Sequence, residues 1–312
     1  MVSESSALVA LQHRNFRLLW LGMFISIGGS MMRNAAILWH VALLAPANQK
    51  ALALGGIGLV RVIPIVVCSL LAGVAADAFD RRRLLLATNS AMMLISTALA
   101  AITLTRFDSL WAVYSLAALS AAAGTFDNPA RNSFFPSLVP REHLPNAISL
   151  NSILFQSGSV LGPMLAGLVI ASSSVGWVYV VDAASFLVLI ASLLAMRDVP
   201  TRPLAARGAV TLRAAWDGIT FVFGRPLLRS SMLLDFFATF FASATALLPI
   251  FAQDILQVGP HGYGLLASAT ATGAVLTSVL MLKVVARIQR RGRVLIAAAV
   301  IYGLATVAFG LS

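Results

Sequence analysis

Nine apolar runs, parted by short breaks that carry arginine, take up most of the chain; they lie approximately at 17–44, 52–76, 84–104, 110–130, 147–172, 177–196, 230–252, 262–283 and 294–312. A helix of about 20 residues spans the roughly 30 Å hydrocarbon core of a bilayer. Most of these runs are apolar all round, rich in Ala, Leu, Val and Gly, whereas barrel strands alternate apolar and polar positions. The expected fold class is therefore all-α, a polytopic membrane helical bundle. Charge agrees: only 11% of the 312 residues are Asp, Glu, Lys or Arg, against about 25% in a soluble domain, and the mean hydropathy is +0.91. Too few ionic groups exist to coat a water-exposed globule of this size. The single cysteine, Cys68, lies inside an apolar run, so no disulfide framework or cysteine metal site follows from the sequence. Met1–Ala10 is small and mixed, and the first apolar stretch outruns a signal-peptide core, so it reads as a retained span.

The net charge of +11 suggests nucleic-acid binding only until the basic residues are placed. Eighteen fall in the breaks on one side: Arg14, Arg17, Arg81, Arg82, Arg83, Arg131, Arg141, Arg197, Arg202, Arg207, Arg213, Arg225, Arg229, Lys283, Arg287, Arg290, Arg291 and Arg293. Lys50 and Arg106 fall on the other, and Arg33 and Arg61 lie inside spans. This asymmetry places the N-terminus in the cytoplasm of a multi-pass cell-membrane protein, and makes the basic charge topological, with no nucleic-acid partner expected.

The longest break, Arg197–Arg229, contains Pro200, Pro203, Gly208 and Pro226 and reads as a cytoplasmic linker. It divides the chain into an N-terminal six-helix bundle at 1–196, a linker at 197–229 and a partial C-terminal bundle of three helices at 230–312. Asp77–Arg83 and Arg287–Arg293 form a weak internal echo, each an arginine-crowded turn after a pair of spans. Repeated bundles with a cytoplasmic linker are the organisation of secondary transporters.

Four motifs carry a closer likeness. Gly73-Val-Ala-Ala-Asp77-Ala-Phe-Asp80-Arg81-Arg82-Arg83 resembles the loop between the second and third helices of the major facilitator superfamily. Asp127-Asn128-Pro129-Ala130-Arg131 through Ala147, the fifth-span series Gly158, Gly162, Pro163 and Gly167, and Leu248-Pro249 through Asp254 followed by Gly262-Tyr263-Gly264 are similar to its enterobactin-exporter and macrolide-efflux branch. Ala75 and Ala78 depart from the loop pattern, where Leu and Arg are usual. The resemblance implies a major facilitator fold and alternating access. It also implies twelve spans, so a chain of nine is expected to be truncated or to need a partner.

The resemblance gives Gly73, Asp77, Arg81, Arg82 and Arg83 the role of a gating loop in which Asp77 latches a helix end; the alternative is an arginine cluster that only fixes topology. Gly158, Gly162, Pro163 and Gly167 form a close helix-packing seam, sliding or static. Arg33 and Arg61 lie near mid-span, where a lipid-facing guanidinium costs about 2.5–3.5 kcal/mol or more, so each faces protein or water. They are candidates to line a cavity for an anionic or catecholate-like substrate held by bidentate hydrogen bonds; the alternative is that one or both are neutralised by a buried carboxylate or reach a helix end by snorkelling. Asp127, Asp182 and Asp235 are the candidates for proton coupling; for Asp127 a local pair with Arg131, one turn on, is the competing reading. His40 reads as an interfacial residue, Trp20, Trp39, Trp111 and Trp177 read as interfacial anchors, and the four histidines show no metal-ligand spacing.

The function expected is secondary active export of a small molecule, drug or siderophore-like, coupled to protons and without a cofactor. Lys50 and Lys283 lack the glycine frame of a phosphate-binding loop. An intramembrane enzyme lacks its motifs here, with no metalloprotease helix and no nucleophile elbow. A non-transporting remnant or assembly partner is the other alternative, and the oligomeric state is open.

Overall fold

The computed structural model describes residues 8–197, 220–221, 223–242, 245–284 and 291–311, and every regular element among them is helical. The first six long helices are α1 (Arg14–Leu44), α2 (Lys50–Ala78), α3 (Arg81–Leu104), α4 (Leu110–Phe134), α5 (Leu144–Ser172) and α6 (Val175–Leu194). They are followed by α7 (Pro226–Ala242), α8 (Gly259–Val284) and α9 (Arg291–Gly310), with short turns between α7 and α8 that end in a π-helical segment, Phe251–Ile255. Each of the nine apolar runs thus contributes a helix. Seven, α1, α2, α3, α5, α6, α8 and α9, are long and apolar enough to cross a membrane. The fourth run carries Asp127, Asn128 and Arg131 at one end, and α7 has only 17 residues, so these two fall short on polarity and length respectively.

Local chemistry sets the boundaries. Asp80 caps α3 by accepting the Arg83 N–H at 2.9 Å, and Ser109 caps α4 by accepting the Ala112 N–H at 3.2 Å. Pro145 stands in the first turn of α5, where its missing N–H is not needed. At the opposite helix ends, arginines serve as donors to orphan carbonyls. Arg82 reaches Leu193 O at 2.9 Å and Leu194 O at 3.1 Å, Arg14 reaches Ala195 O at 3.1 Å, and Arg81 reaches Ser133 O at 2.7 Å. The basic clusters therefore sit at the carbonyl ends of α4 and α6, where the helix dipole favours cations.

The chain divides by contacts into two compact units, 1–208 with 249–271, and 209–248 with 272–312. The first unit therefore holds more than the six-helix bundle of 1–196: residues 249–271, including the first half of α8, pack within it. In this unit α1 is the hub, packed along α5 and α6, while α3 packs on α4 and α6 and α2 on α4. Phe16, Leu19, Met23, Leu85, Phe134 and Leu193 belong to a core at the arginine-rich end. The outward faces are apolar too: Leu52, Leu59, Val66, Leu94, Leu187 and Trp111 are all exposed, as expected where lipid is the solvent. In the second unit α7 packs against α9.

The contact of α1 with α6 depends on small residues. A methyl group added at Gly29 would meet Ser185 Oγ at 2.4 Å and Asp182 Oδ1 at 3.1 Å, so only glycine lets the backbones approach this far. The π-helical turn and the first half of α8 are held on the same unit: Tyr263, 1% exposed, donates to Ala35 O at 2.9 Å and packs against Trp39 with ring centroids 5.1 Å apart. Trp39 is thus buried in the bundle and does not anchor the chain at an interface.

Candidate functional site

At mid-span, α1, α3 and α6 bring three polar side chains together. Arg33 Nη1 donates to Asp182 Oδ2 at 2.8 Å and to Ser96 Oγ at 3.0 Å, and the Ser96 hydroxyl donates to Asp182 Oδ2 at 2.5 Å. Arg33 is 4% exposed and Asp182 0%. Of the two arrangements open to Arg33, the structure has the one in which a buried carboxylate neutralises it. The Phe186 ring lies 5.7 Å from the guanidinium carbon, adding a cation–π contact. The pair is not fully satisfied. Among the described residues Arg33 Nε and Asp182 Oδ1 have no hydrogen-bond partner, and Ser30 is a further polar neighbour of the Asp182 carboxylate. Oδ1 lies behind Gly29, which helps to floor an apolar cavity of about 390 Å³ bounded by α1, α5 and α6.

Arg61, on α2, is the second cation at this depth. It is half-buried and has no hydrogen bond or ion pair among the described residues; its electrostatic neighbours are Arg33, Tyr179 and Tyr263. Arg33, Asp182 and Arg61 together carry a formal charge of +1 inside a membrane-spanning bundle. A cation held off lipid by protein, with no counter-ion among the described residues, favours a negative charge beside it.

One helical turn before Asp182 stands Tyr179, fully buried, whose Oη lies 3.1 Å from His40 Nδ1. His40 Nε2 lies 2.7 Å from Asp108 Oδ2. His40 is 2% exposed, so it is not the interfacial residue that its position near a span end suggests; Asp108, in the α3–α4 loop, keeps 21% of its side chain exposed. Asp108, Tyr179 and Ser96 drew no attention in the sequence. The available signal was that Asp108 is the one acidic residue in that loop, and that Tyr179 and Asp182 share a helix face at spacing i, i+3.

The remaining candidates lie elsewhere. Asp127 and Arg131 form a buried i, i+4 pair on α4, and Asp127 also accepts from Thr88 Oγ1 at 3.1 Å and Asn89 Nδ2 at 2.8 Å. This carboxylate is saturated by donors. Asp235 lies on α7 in the second unit with an exposed side chain. Gly73 lies in the last turns of α2 with open space around it, the Asp77 side chain lies outside the described residues, Arg81 and Arg82 cap helix ends as above, and Arg83 is exposed. The α5 glycines face two directions: Gly158 approaches Ile27 and Gly162 approaches Met31 on α1, while Gly167, beyond Pro163, meets Gly264 of α8. Across the first unit, Lys50 pairs with Asp254 at 2.9 Å. His13 and His143 meet at 2.9 Å, yet no group of three metal-ligating side chains occurs among the described residues.

Comparisons with known proteins agree with this architecture. The chain is 27% identical over 264 residues to the enterobactin exporter EntS of Salmonella choleraesuis (strain SC-B67), covering 84% of this chain and 62% of that protein. It is 27% identical over 179 residues to YfiS of Bacillus subtilis (strain 168), an uncharacterized MFS-type transporter, covering 55% of this chain and 40% of that one. The chain thus spans less than two thirds of the length of these relatives. A solved structure of a bacterial homolog of the human lysosomal transporter Spinster superposes with a TM-score of 0.57 at 16% identity, over 91% of this chain and 64% of that one, and shares the fold. The profile of the transmembrane secretion effector family matches residues 5–312, so this helical bundle with its intramembrane charge cluster belongs to that family of major facilitator transporters.

Proposed function

We propose that the protein exports a small anionic molecule across the cell membrane by proton-coupled alternating access, with its N-terminus in the cytoplasm. The observation that carries this reading is Arg61, a half-buried guanidinium with no counter-ion among the described residues, beside the Arg33–Asp182 pair. An anionic group placed between Arg61 and the free edge of Arg33 neutralises the surplus positive charge and takes bidentate hydrogen bonds from a planar donor fork. Asp182 is the coupling carboxylate: one oxygen holds Arg33, and the other is free to take a proton. The likeness to enterobactin exporters favours a catecholate siderophore or a drug of similar charge. Membership of a transporter family speaks against an enzyme.

The test is accumulation of iron-free enterobactin in everted vesicles that contain the full chain, driven by an imposed pH gradient. Arg61→Gln is expected to lower the rate by about tenfold or more, the loss of one charge-assisted bidentate contact, at unchanged protein level. Transport of enterobactin by Arg61→Gln at the normal rate overturns the assignment of the anion site.

A further inference from the structure

Asp108, His40 and Tyr179 form a continuous chain of side-chain hydrogen bonds that none of the sequence motifs includes. It starts at a partly exposed carboxylate in the α3–α4 loop, crosses a buried imidazole on α1 with a partner at each ring nitrogen, and ends at a buried phenol on α6. The next polar group along α6 is Asp182, one turn on, with its free Oδ1. On α1 the spacing repeats: His40 and Arg33 are seven residues apart, two turns on one face. The α1–α6 seam thus carries polar groups near the loop and at mid-span, with the buried Ala36 and Ile37 of α1 between them. A histidine fixed between a solvent-touching acid and a buried hydroxyl is the arrangement that passes protons.

We infer that Asp108, His40 and Tyr179 are the proton-access path to Asp182, opening on the side of the membrane to which the α3–α4 loop faces. The inference rests on Asp182 as the coupling carboxylate proposed above. In the inward direction water protonates Asp108, and the carboxyl proton passes to Nε2 of the Nδ1–H tautomer, giving an imidazolium. Its Nδ1 proton then moves to Tyr179 Oη as the phenolic proton leaves for Asp182 through a bridging water. One proton has gone from bulk water to Asp182, the phenol and imidazole are neutral again, and rotation of the phenol hydrogen with return of the Nδ1–H tautomer resets the path. The charged and titratable groups facing this path are Asp108 from the loop, Arg33 from α1, Arg61 from α2, Tyr179 and Asp182 from α6 and Tyr263 from α8.

The test needs no substrate. In proteoliposomes of the full chain, infrared difference spectra after a pH jump report the carbonyl stretch of protonated Asp182, identified by its loss in Asp182→Asn and its shift in Asp182→Glu. His40→Gln, Tyr179→Phe and Asp108→Asn are each expected to slow the rise of that band by about tenfold or more while leaving its final amplitude unchanged; the retained amplitude shows that the protein is folded. A band that rises at the wild-type rate in all three variants overturns the path and leaves Asp182 as the coupling site. Absence of any Asp182 band across the accessible pH range overturns both.

Discussion

Arg33 and Arg61 are the same residue type at similar depth, yet their surroundings differ. Arg33 is locked by Asp182 and Ser96, so it contributes to the integrity of the bundle; Arg61 has no such partner. Removing one member of a buried pair leaves an uncompensated charge and costs about 3–5 kcal/mol, whereas replacing both with apolar residues of similar volume is often neutral. Arg33→Met and Asp182→Leu singly are therefore expected to destabilise the protein by amounts of that order in detergent unfolding experiments. The double variant should recover most of the loss, and Arg61→Met alone should leave stability unchanged or raised. Equal destabilisation by Arg61→Met and Arg33→Met contradicts the distinction. The sequence shows that both arginines must face protein or water, because the cost of lipid exposure depends only on depth. It does not show which one has the carboxylate, since Arg33 and Asp182 are 149 residues apart and their pairing is a property of how α1 meets α6.

Helices are the most legible level of this protein. Apolar length alone locates each helix, because a chain in hydrocarbon must satisfy every backbone group within its own segment. Packing partners are harder to read. The α5 glycines look like one seam in sequence, yet Gly158 and Gly162 serve α1 while Gly167 serves α8, because the 3.6-residue repeat turns the last of them to another face. For the same reason a boundary at 230 separates residues 249–271 from the unit in which they pack. The contact of α5 with α8 makes a sharp prediction. A Cβ at Gly264 would lie 2.7 Å from Pro163 O and 3.0 Å from Gly167 Cα, both backbone atoms that cannot rotate away. Gly264→Ala should destabilise by about 1–3 kcal/mol, the usual cost of overpacking, and raise hydrogen exchange across the first half of α8. Gly273→Ala on the same helix, where nothing lies within 4 Å, should do neither. Unchanged protection in Gly264→Ala would show that the α5 contact does not hold the first half of α8.

At the scale of the whole molecule the arginines have two roles that coincide. Those in the arginine-rich breaks would bias insertion, and several of the same side chains, Arg14, Arg81 and Arg82 among them, close the carbonyl ends of α4 and α6. A cation placed for topology during insertion is thereby used for helix capping after folding, so moving it should disturb both. In the proposed orientation, with the arginine-rich end in the cytoplasm, the α3–α4 loop and the Lys50–Asp254 pair would face outward, and the proposed path through Asp108 and His40 would draw protons from the outer side. Orientation is checked by labelling in intact cells with a membrane-impermeant maleimide, on a Cys68→Ser background. Phe107, 82% exposed beside Asp108, and Arg83, exposed in the first turn of α3, lie on opposite sides. Phe107→Cys is expected to label directly, and Arg83→Cys only after the membrane is permeabilised. The reverse pattern would place Asp108 in the cytoplasm and turn the proton path to deliver from the inside.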